Sequence, residues 1–437
     1  MRPEPADLEM LETLQRETFA YFVDYTNPRT GLVADRTSAN SPASIAAVGL
    51  ALTCYPIAVE RGWWTRTDAV ERTLATLRFF AASEQSNDPA ATGHHGFYYH
   101  FLDPASGARS GGCELSTIDT ALLVAGIHTA ASYFTATDAD EAEIRELGDM
   151  LYRRVDWQWV AGDDGTLRHG WRPESGFLEP SWDRGYSEAT LLYVLALGSP
   201  TFPTDPTGYV RWAQTFERKT LYGFDQLYAG PLFIHQLPQL WLELRGLDDD
   251  RTRGLGFDYF ENSRRATLAQ RAYAIENPAG FTAYGENAWG FTASNGPGPD
   301  HQTVHGVPRD FYGYLARGAP FGPDDGTFSP WAVVASLPFA PTEVCAAIRH
   351  AIERLGLKNA HGPGFEASFN PTYPEASGHA RGWVSPWKYG LNQGPIIVMI
   401  ENHLSGLVWT LLRRSSYVRR GLERAGFSGG WLGQRAM

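Results

Sequence analysis

Cysteine is scarce in this chain, which has only Cys54, Cys113 and Cys345 among 437 residues. The three lie far apart in sequence, match no metal-ligand spacing and cannot all be paired within one chain. The sequence therefore predicts neither a disulfide framework nor a cysteine metal site. We expect the three thiols to be small, buried side chains.

Positive charge and long apolar runs are scarce as well. The net charge is −12 and the pI is about 5.5, which argues against a nucleic acid or an anionic membrane as a partner, because both need a cationic surface. Apolar runs such as residues 396–400 are too short to span a bilayer, and the N-terminal residues contain no apolar signal core. We expect a cytoplasmic protein, or a periplasmic or secreted one if a signal peptide has been removed.

Motifs of the common metal and cofactor enzymes are missing. The sequence contains no HExxH, no P-loop and no GxGxxG, and its twelve histidines have no paired ligand spacing. The turn at Asp324-Asp325-Gly326 offers carboxylates to Ca²⁺, but acids beside glycine are ordinary turn chemistry. We therefore expect no cofactor and no bound metal.

Aromatic residues, in contrast, are plentiful. They make up 13% of the chain, with 14 Trp and 20 Tyr. The hydrophobic content of 43% and charged content of 20% are normal for a globular protein with a large core. The surplus rings have two interpretations, core packing or flat surfaces on which pyranose rings stack. Composition leaves both open.

Helical periodicity dominates the chain. The best strand is residues 96–102, with a hairpin return through residues 107–113. Long Gly- and Pro-rich connections at 84–113, 160–186, 277–329 and 357–394 are expected to be functional loops. No low-complexity linker is present, so we expect one domain over residues 1–437. The predicted helices cover residues 8–22, 44–60, 67–80, 116–134, 141–155, 187–198, 208–220, 231–245, 257–276, 330–339, 342–354 and 395–413.

This pattern predicts an all-α fold with long loops and a minor β-hairpin. About twelve helices that alternate with long loops are typical of an (α/α)6 toroid, in which six helical hairpins surround a funnel and the loops build a cleft at one end. A helical solenoid or an irregular all-α domain has the same periodicity, although no fixed solenoid-type repeat is present.

The strongest candidate site is the segment over residues 171–192, which ends in an apolar helix. It places Asp183 and Glu188 beside Trp171, Trp182 and Tyr186. Carboxylates can transfer protons or stabilise an oxocarbenium ion, and the rings offer surfaces for sugars. This composition is typical of a carbohydrate-binding cleft, with Glu188 as the first catalytic candidate.

Glu114 and Asp119 lie at the start of another predicted helix. Hydrolysis of a glycosidic bond needs two carboxylates, and these side chains converge on Glu188 if the two helix ends share a rim. The alternative for Asp119 and Glu188 is an acid in the first helical turn that the helix dipole stabilises. The neighbouring aromatic residues favour the catalytic interpretation more strongly for Glu188.

A second cluster lies in the loop over residues 284–290. Glu286 stands between two glycines there, with Tyr284 and Trp289 beside it. Loop glycines let the backbone approach a ligand closely. Glu286 is therefore either a catalytic or hydroxyl-binding carboxylate, with Trp289 as a sugar contact, or part of a structural turn.

A third cluster precedes the last long apolar helix. It contains Trp387, Asn392 and Gln393, and side-chain amides can both donate hydrogen bonds to sugar hydroxyls and accept them. His235 and Gln236 are candidate sugar contacts in an earlier segment. Each of these polar residues has a structural alternative.

Nine segments together resemble the bacterial glucoamylase-like family, which includes glycoside hydrolase family 144, the endo-β-1,2-glucanases, and is related to the central part of cyclic β-1,2-glucan synthases. The resemblance extends from about residue 8 to residue 413. The segments are YFVDYTNPRTGLVADR, SIAAVGLALTCYPIAVERGWWTR, CELSTIDTALL, RHGWRPESGFL, SWDRGYSEATLLYVLALGSP, LYAGPLFIHQ, FENSRRATLAQRAYAIENP, YGENAWGFTASNGPGP and NQGPIIVMIENH.

The resemblance implies a six-hairpin α/α toroid that acts on β-1,2-glucan without a metal. It makes Glu188 the leading catalytic carboxylate and gives Asp119 an acidic position at the start of a cleft helix. The chain differs from the family pattern at Asn392, where the family is expected to have Asp before Gln-Gly-Pro. That difference puts in doubt the identity of the base.

We therefore expect a glycoside hydrolase, a monomer or small homo-oligomer, that cleaves β-1,2-glucan or its oligosaccharides. Glu188 is the expected general acid, and Asp119 or else Glu286 is its partner. Carboxyl groups about 6.5–9.5 Å apart would make the enzyme inverting, and groups about 5–5.5 Å apart would make it retaining. The alternatives are a glycosidase or transglycosylase of the same fold on another glycan, or a sugar-binding protein without catalysis.

Overall fold

The computed structural model describes residues 4–359, 361–362, 364–374 and 382–433, and these are mostly helical. This confirms the predicted predominance of helix. Fourteen α-helices are present in the described ranges. They are α1 (Pro5–Asp24), α2 (Ile45–Glu60), α3 (Arg66–Ala82), α4 (Thr117–Tyr133), α5 (Ala139–Arg154), α6 (Thr190–Gly198), α7 (Pro206–Gln214), α8 (Leu232–Trp241), α9 (Tyr259–Glu276), α10 (Pro330–Val334), α11 (Pro341–Glu353), α12 (Gly390–Leu404), α13 (Leu407–Arg413) and α14 (Ser416–Arg424).

Several predicted helices differ from the structure, among them those over 231–245 and 330–339, which end at Trp241 and Val334. The helix expected over 208–220 ends at Gln214, and Arg218–Leu221 is a strand. The helix expected over 395–413 is divided into α12 and α13, because Gly406 adopts a left-handed conformation with φ of 70°. The helix expected from residue 187 begins at Thr190, so Glu188 lies in the turn before it. The pattern also missed α14, whose N-cap is Ser415.

Successive helices alternate in burial along the chain. The even-numbered helices from α2 to α12 are buried over most of their residues, whereas the odd-numbered helices from α1 to α11 bury one face. The even-numbered helices pack on one another, with α2 against α4 and α12, α4 against α6, and α12 against α8 and α10. The core therefore lies along these inner helices.

The α2–α4 contact brings two backbones together. A Cβ added at Gly49 of α2 would lie 2.3 Å from the carbonyl oxygen of Leu122, and one at Gly126 of α4 would lie 2.0 Å from that of Gly49. Only glycine tolerates such a close approach. The start of α4, which carries Asp119, is thereby fixed relative to α2.

Seventeen short strands connect the helices in the described ranges, more than the minor hairpin predicted. A five-stranded antiparallel sheet has the order β2-β3-β5-β6-β7. The strands are β1 (Ala43–Ser44), β2 (Gly93–His94), β3 (Phe97–Tyr99), β4 (Phe101–Leu102), β5 (Leu115–Ser116), β6 (Gly170–Arg172), β7 (Gly176–Phe177), β8 (Arg218–Leu221), β9 (Phe224–Leu227), β10 (Leu247–Asp248), β11 (Ala293–Ser294), β12 (Asp300–Val304), β13 (Val307–Phe311), β14 (Leu315–Ala316), β15 (Phe369–Asn370), β16 (Trp383–Val384) and β17 (Ser428–Gly429).

The strand predicted over 96–102 is present as β3 and β4, with His100 between them. The predicted return is limited to a bridge between Leu102 and Arg109. The main partner of β3 is β5, which lies farther along the chain, and the partner of β4 is β1. His100 is thus held between two antiparallel pairings.

The cysteine expectation is confirmed for two of the three thiols. Cys54 and Cys345 are buried, whereas Cys113 is half-buried, and all three are unpaired. In the described ranges no single helix is long and apolar enough to cross a membrane. Together α12 and α13 reach the required length and composition, but they are bent by 85° where they meet.

Candidate active site

Residues from three separate segments form a cluster of carboxylates. Asp119 lies in the first turn of α4, Glu188 lies in the turn before α6, and Asp35 lies between α1 and α2. The charge of Asp119 acts on both Glu188 and Asp35. Asp119 thus lies within electrostatic reach of both Glu188 and Asp35.

Asp119 is held in place by the cap of its own helix. The Ser116 hydroxyl donates to Asp119 Oδ2 at 2.5 Å and accepts the backbone N–H of Asp119 at 3.2 Å. Such reciprocal capping fixes both the helix start and the side-chain rotamer. Asp119 is buried, so water has little access to its carboxylate as an alternative hydrogen-bond partner.

Glu188 has a proton affinity suited to neutral pH. Burial raises the pKa of Glu188 to about 7, with a further contribution from the charge of Asp119, although a hydrogen bond from its own backbone acts in the opposite direction. A carboxyl group with such a pKa is protonated for part of the time at neutral pH. It can therefore act as a general acid.

His100 supplies positive charge to the cluster. Its Nδ1 lies 3.0 Å from Glu114 Oε1, and its Nε2 lies 3.7 Å from Asp119 Oδ2. Burial lowers the pKa of His100, but the charges of Asp119, Glu114 and Asp35 outweigh that effect and raise it to about 9. The imidazolium thus stabilises the ionised form of its carboxylate neighbours.

Glu114 is a charged partner of His100 and Arg172. Burial acts to raise the pKa of Glu114. A hydrogen bond from His100 and the charges of His100 and Arg172, whose Nη2 lies 3.8 Å from Glu114 Oε2, act in the opposite direction, and the pKa is lowered overall. Glu114 is therefore ionised at neutral pH, which suits an electrostatic role or contact with a sugar hydroxyl better than proton donation.

The five-stranded sheet places charged residues on one face and aromatic residues on the other. Leu115 of β5 pairs with Trp171 of β6, and alternate residues of a strand face opposite sides. Glu114 and Arg172, which contact each other, therefore share the face of the carboxylate cluster. Trp171 faces the other side, where it packs against His94 and Trp159. Trp171 is partly exposed and has this packing role, and the sugar contact predicted for it stays a prediction.

Trp182 remains close to the carboxylates. Its indole N–H donates to Thr117 Oγ1 at 3.2 Å, and Thr117 is two residues before Asp119. One face of the ring stacks on His169 at a centroid distance of 3.9 Å. Trp182 and Asp183 are both partly exposed, so both are accessible as sugar contacts.

His235 and Gln236 are core residues, contrary to the prediction. His235 Nε2 lies 3.2 Å from the carbonyl oxygen of Ala229, and burial lowers the pKa of His235 to about 4. Gln236 donates to the Ala332 carbonyl at 2.6 Å and to Ser336 Oγ at 2.8 Å. Both side chains are buried and used by the protein itself.

Tyr186, Trp289 and Gln393 are also buried, so a substrate has no access to them in this structure. Tyr186 stacks on Tyr259 inside the core. Gln393 Nε2 points to the carbonyl oxygen of Phe365 at 3.5 Å. These three sugar-contact predictions are corrected, because local aromatic and amide composition is the same in a core as in a cleft.

Glu286 lies in a different environment from the cluster. Its carboxylate is paired with Arg271 at 2.6 Å, and 68% of the side chain is exposed. Exposed pairs of this kind contribute little free energy. In the described part of the chain, Glu286 does not share the His100 contacts that join Glu114 and Asp119, so the structural alternative is favoured for it.

Trp387 and Asn392 lie on the segment that enters α12. Trp387 is exposed, and Asn392 is buried in the first helical turn, where its backbone N–H donates to the carbonyl of Tyr389 at 2.9 Å. Tyr389 borders the cluster, since the charge of Asp35 acts on its phenol and its own phenol acts on that of Tyr314. The sugar contacts predicted for Trp387 and Asn392 stay predictions.

Sequence reasoning missed Asp35, His100 and Tyr314. Burial, followed by Asp119, raises the pKa of Asp35 even though Arg36 and His100 oppose it. The Tyr314 ring is 70% exposed, yet protein atoms surround its phenol closely enough that burial raises its pKa, followed by the charges of Asp119, Glu188 and Asp35. None of the three has a local signal, although Asp35 falls in a segment that carries the family resemblance.

Comparison with known proteins identifies one family and a set of related structures. A family model described as putative glucoamylase matches residues 181–416. An exo β-1,2-glucooligosaccharide sophorohydrolase (non-reducing end) from Parabacteroides distasonis is 28% identical over 96% of this chain. The alignment covers 58% of that relative, so the present chain spans little more than half of its length.

Solved structures show the same fold. A putative glucoamylase from Bacteroides uniformis is 30% identical with a TM-score of 0.84, covering 99% of this chain and 100% of that one. A β-1,2-glucanase from Parabacteroides distasonis is 26% identical with a TM-score of 0.81, covering 98% and 61%. An endo-β-1,2-glucanase from Chitinophaga pinensis, in complex with sophorotriose and glucose, has a TM-score of 0.83 and covers 98% and 99%; at 24% identity it supports the fold alone.

Proposed function

This chain belongs to the putative glucoamylase family, and from that membership we propose that it is a glycoside hydrolase that cleaves β-1,2-linked glucan or its oligosaccharides. The family resemblance predicted from the sequence is confirmed. Relatives named as a sophorohydrolase and a β-1,2-glucanase support the substrate. A soluble saccharide is the proposed partner.

The observation that carries this proposal is the contrast between Glu188 and Asp119. Glu188 has a pKa of about 7 and can hold a proton at neutral pH. Asp119 receives a hydrogen bond from Ser116, and its Oδ2 lies 3.7 Å from His100 Nε2. A carboxyl group that can hold a proton at neutral pH, beside a second carboxyl group, is the arrangement that acid-base hydrolysis of a glycoside requires.

In the proposed reaction Glu188 donates its proton to the glycosidic oxygen as the bond to the anomeric carbon breaks. The Asp119 carboxylate accepts a proton from the water that attacks that carbon, as in an inverting hydrolase. The released sugar carries the proton from Glu188, and both side chains regain their starting states by exchange with solvent. His100, which Glu114 holds through its Nδ1, contacts Asp119 through its Nε2 and helps to orient it.

The fold proposed for this site is an (α/α)6 toroid formed by a single domain over residues 1–437. The alternation of buried and half-buried helices from α1 to α12 supports six outer-inner hairpins. Asp119 and Glu188 precede or begin two of the inner helices, α4 and α6. In such a toroid these helix starts lie at one end of the barrel, where loops build the cleft.

The test is incubation of the purified protein with linear β-1,2-glucan, beside β-1,3-, β-1,4- and α-glucan controls, followed by chromatography of the products. Short β-1,2-oligosaccharides are expected from the first substrate alone. Glu188→Gln should reduce turnover by about 10²- to 10⁴-fold, as expected for loss of a general acid. The alkaline side of the wild-type kcat/KM profile should fall with an apparent pKa of about 7, because Glu188 must be protonated.

Glu286→Gln is the matched control, because it makes the same chemical change in an exposed ion pair. It should retain near wild-type turnover. Equal losses in both variants would contradict the assignment of Glu188. If no glucan is converted but a β-1,2-gluco-oligosaccharide binds, the sugar-binding alternative replaces the hydrolase.

A further inference from the structure

Tyr314 is an exposed tyrosine that lies beside the reacting groups. It belongs to the loop between β13 and β14, and 70% of its surface is accessible. The next residue, Leu315, pairs with Ser294, and the adjoining Asn295 donates to the phenol of Tyr389, whose backbone pairs with Arg36 beside Asp35. The Tyr314 phenol also responds to the charges of Asp119, Glu188 and Asp35. An exposed aromatic ring on a loop beside these carboxylates is free to contact a ligand that binds there.

The loop that carries Tyr314 is anchored by an unusual ion pair. Arg317 and Asp325 are both 0% exposed and form two parallel hydrogen bonds of 2.7 Å. The remaining Arg317 donors reach the carbonyl oxygens of Ser294 at 2.7 Å and of Tyr312 and Gly313 at 3.1 Å. The last two carbonyls belong to the residues just before Tyr314.

Asp325 completes the anchor from the opposite side. Its Oδ2 accepts the backbone N–H of Tyr312 at 2.9 Å, and its Oδ1 accepts that of Thr327 at 3.1 Å. Glycine at position 296 leaves the space that the guanidinium needs, since a Cβ there would lie 2.2 Å from Arg317 Nη2. The turn at Asp324-Asp325-Gly326, considered above for Ca²⁺, thus directs one carboxylate to a buried arginine.

Stability alone is a weak explanation for this ion pair. Removal of two charges from water has a large cost, and a buried ion pair often contributes no more than apolar residues of similar size. A pair that is hydrogen-bonded on every side does, however, define one backbone conformation. Here the defined backbone is that of the Tyr314 loop.

We propose that Tyr314 stacks on a glucose ring bound beside Glu188 and Asp119, and that Arg317 and Asp325 are positioning residues that hold the Tyr314 loop in place. This inference rests on the proposed function and names a specificity residue for the same site. Stacking uses the face of the ring and not the phenol hydroxyl, because pyranose rings present apolar C–H faces to aromatic side chains.

The experiment measures kcat and KM on β-1,2-glucan, with calorimetric binding of a short β-1,2-gluco-oligosaccharide, for wild type and variants. Tyr314→Ala should raise KM about 5- to 10-fold with a smaller change in kcat, and Tyr314→Phe should stay within about 2-fold of wild type. Phe321→Ala is the control, since Phe321 is another exposed ring, at 65%, on the same stretch of chain.

The positioning role is tested by a double-mutant cycle. Arg317→Lys keeps the positive charge but loses the planar guanidinium that forms two parallel hydrogen bonds. In the protein that retains Tyr314, this substitution should raise KM. If Arg317 acts through Tyr314, adding Arg317→Lys to Tyr314→Ala should raise KM no further, whereas a merely structural role would multiply the two effects. Asp325→Asn is the second anchor variant and serves if Arg317→Lys does not fold.

The outcomes separate the two proposals. An unchanged KM in Tyr314→Ala, with an active wild-type enzyme, overturns the inference and leaves the hydrolase intact. Equal effects of Tyr314→Ala and Phe321→Ala also overturn it, because they would indicate a general effect of surface aromatics. A wild-type protein that neither binds nor cleaves β-1,2-glucan overturns the proposed function and this inference together.

Discussion

Replacing Glu188 by Gln should make the folded protein more stable at alkaline pH, even though it removes activity. The folded-state pKa of Glu188 is about 7, raised from 4.5 chiefly by burial. A carboxyl group whose pKa is raised on folding contributes stability fully below the unfolded pKa and loses it as pH rises through the folded pKa. Above pH 7 the wild-type protein therefore carries a charged, poorly solvated carboxylate that Gln does not.

The size of this effect follows from the pKa difference. A pKa shift of one unit corresponds to about 1.4 kcal/mol, so the rise from 4.5 to about 7 corresponds to about 3–4 kcal/mol of unfolding free energy. Glu188 is partly exposed, and water that reaches the carboxylate reduces the penalty, so this figure is an upper value. Gln has nearly the same shape and is neutral at every pH, which leaves the packing unchanged.

The assay is urea unfolding of wild type and Glu188→Gln at several pH values between about 5 and about 9, where the raised pKa is titrated. The difference in unfolding free energy should grow in favour of the variant from acid to alkaline pH. All other titrating groups are common to both proteins, so their contributions largely cancel. A difference that stays constant with pH would refute the assignment of a raised pKa to Glu188, and Glu286→Gln, which alters an exposed ion pair, should show no such growth.

Two further predictions concern the neighbours of the carboxylates. His100→Gln should have the opposite effect on stability, because the pKa of His100 is raised from 6.5 to about 9. The extra stability of the wild type is fully present below pH 6.5 and is lost as the pH rises through about 9. Urea unfolding at pH about 6 should show that the variant loses about 1–2 kcal/mol of unfolding free energy after allowance for solvent screening, and equal stability of the two proteins at that pH would contradict this prediction. Trp182→Ala should raise KM roughly 3- to 10-fold, because its partly exposed ring can stack on a sugar, and a collapsed melting temperature would show instead that the ring belongs to the core.

Most of the helices could be predicted, and Asp119 and Glu188 could be selected as candidates, because their signals are local. Apolar periodicity marks α2, α4 and α12, and acids near helix N-termini mark Asp119 and Glu188. His100 and Asp35 were not predictable in this way. His100 acquires its role from the pairing of β3 with β5, which brings Glu114 beside it across a gap in sequence, and that kind of register has no signature within either strand.

The aromatic residues show a different limit of sequence reasoning. Tyr186 and Trp289 have neighbours typical of a sugar cleft, yet both are buried, whereas Tyr314 has a plain loop sequence and is exposed within electrostatic reach of the carboxylates. Local composition shows that an aromatic ring is present, but it does not show whether the ring is buried in the core or exposed in a cleft. That information comes from long-range contacts, such as those that Arg317 and Asp325 make around the Tyr314 loop.

The sheet beside α4 explains why charged and aromatic residues that are adjacent in sequence serve different purposes. Trp171 and Arg172 are consecutive, but strand alternation directs the tryptophan to His94 and Trp159 and the arginine to Glu114. A shift of one residue in the pairing of β5 with β6 would exchange the two and place a charge within the aromatic layer. The packing of Trp171 therefore fixes the register that keeps Arg172 and Glu114 on the side of His100 and Asp119, so the aromatic layer supports the geometry of the proposed site.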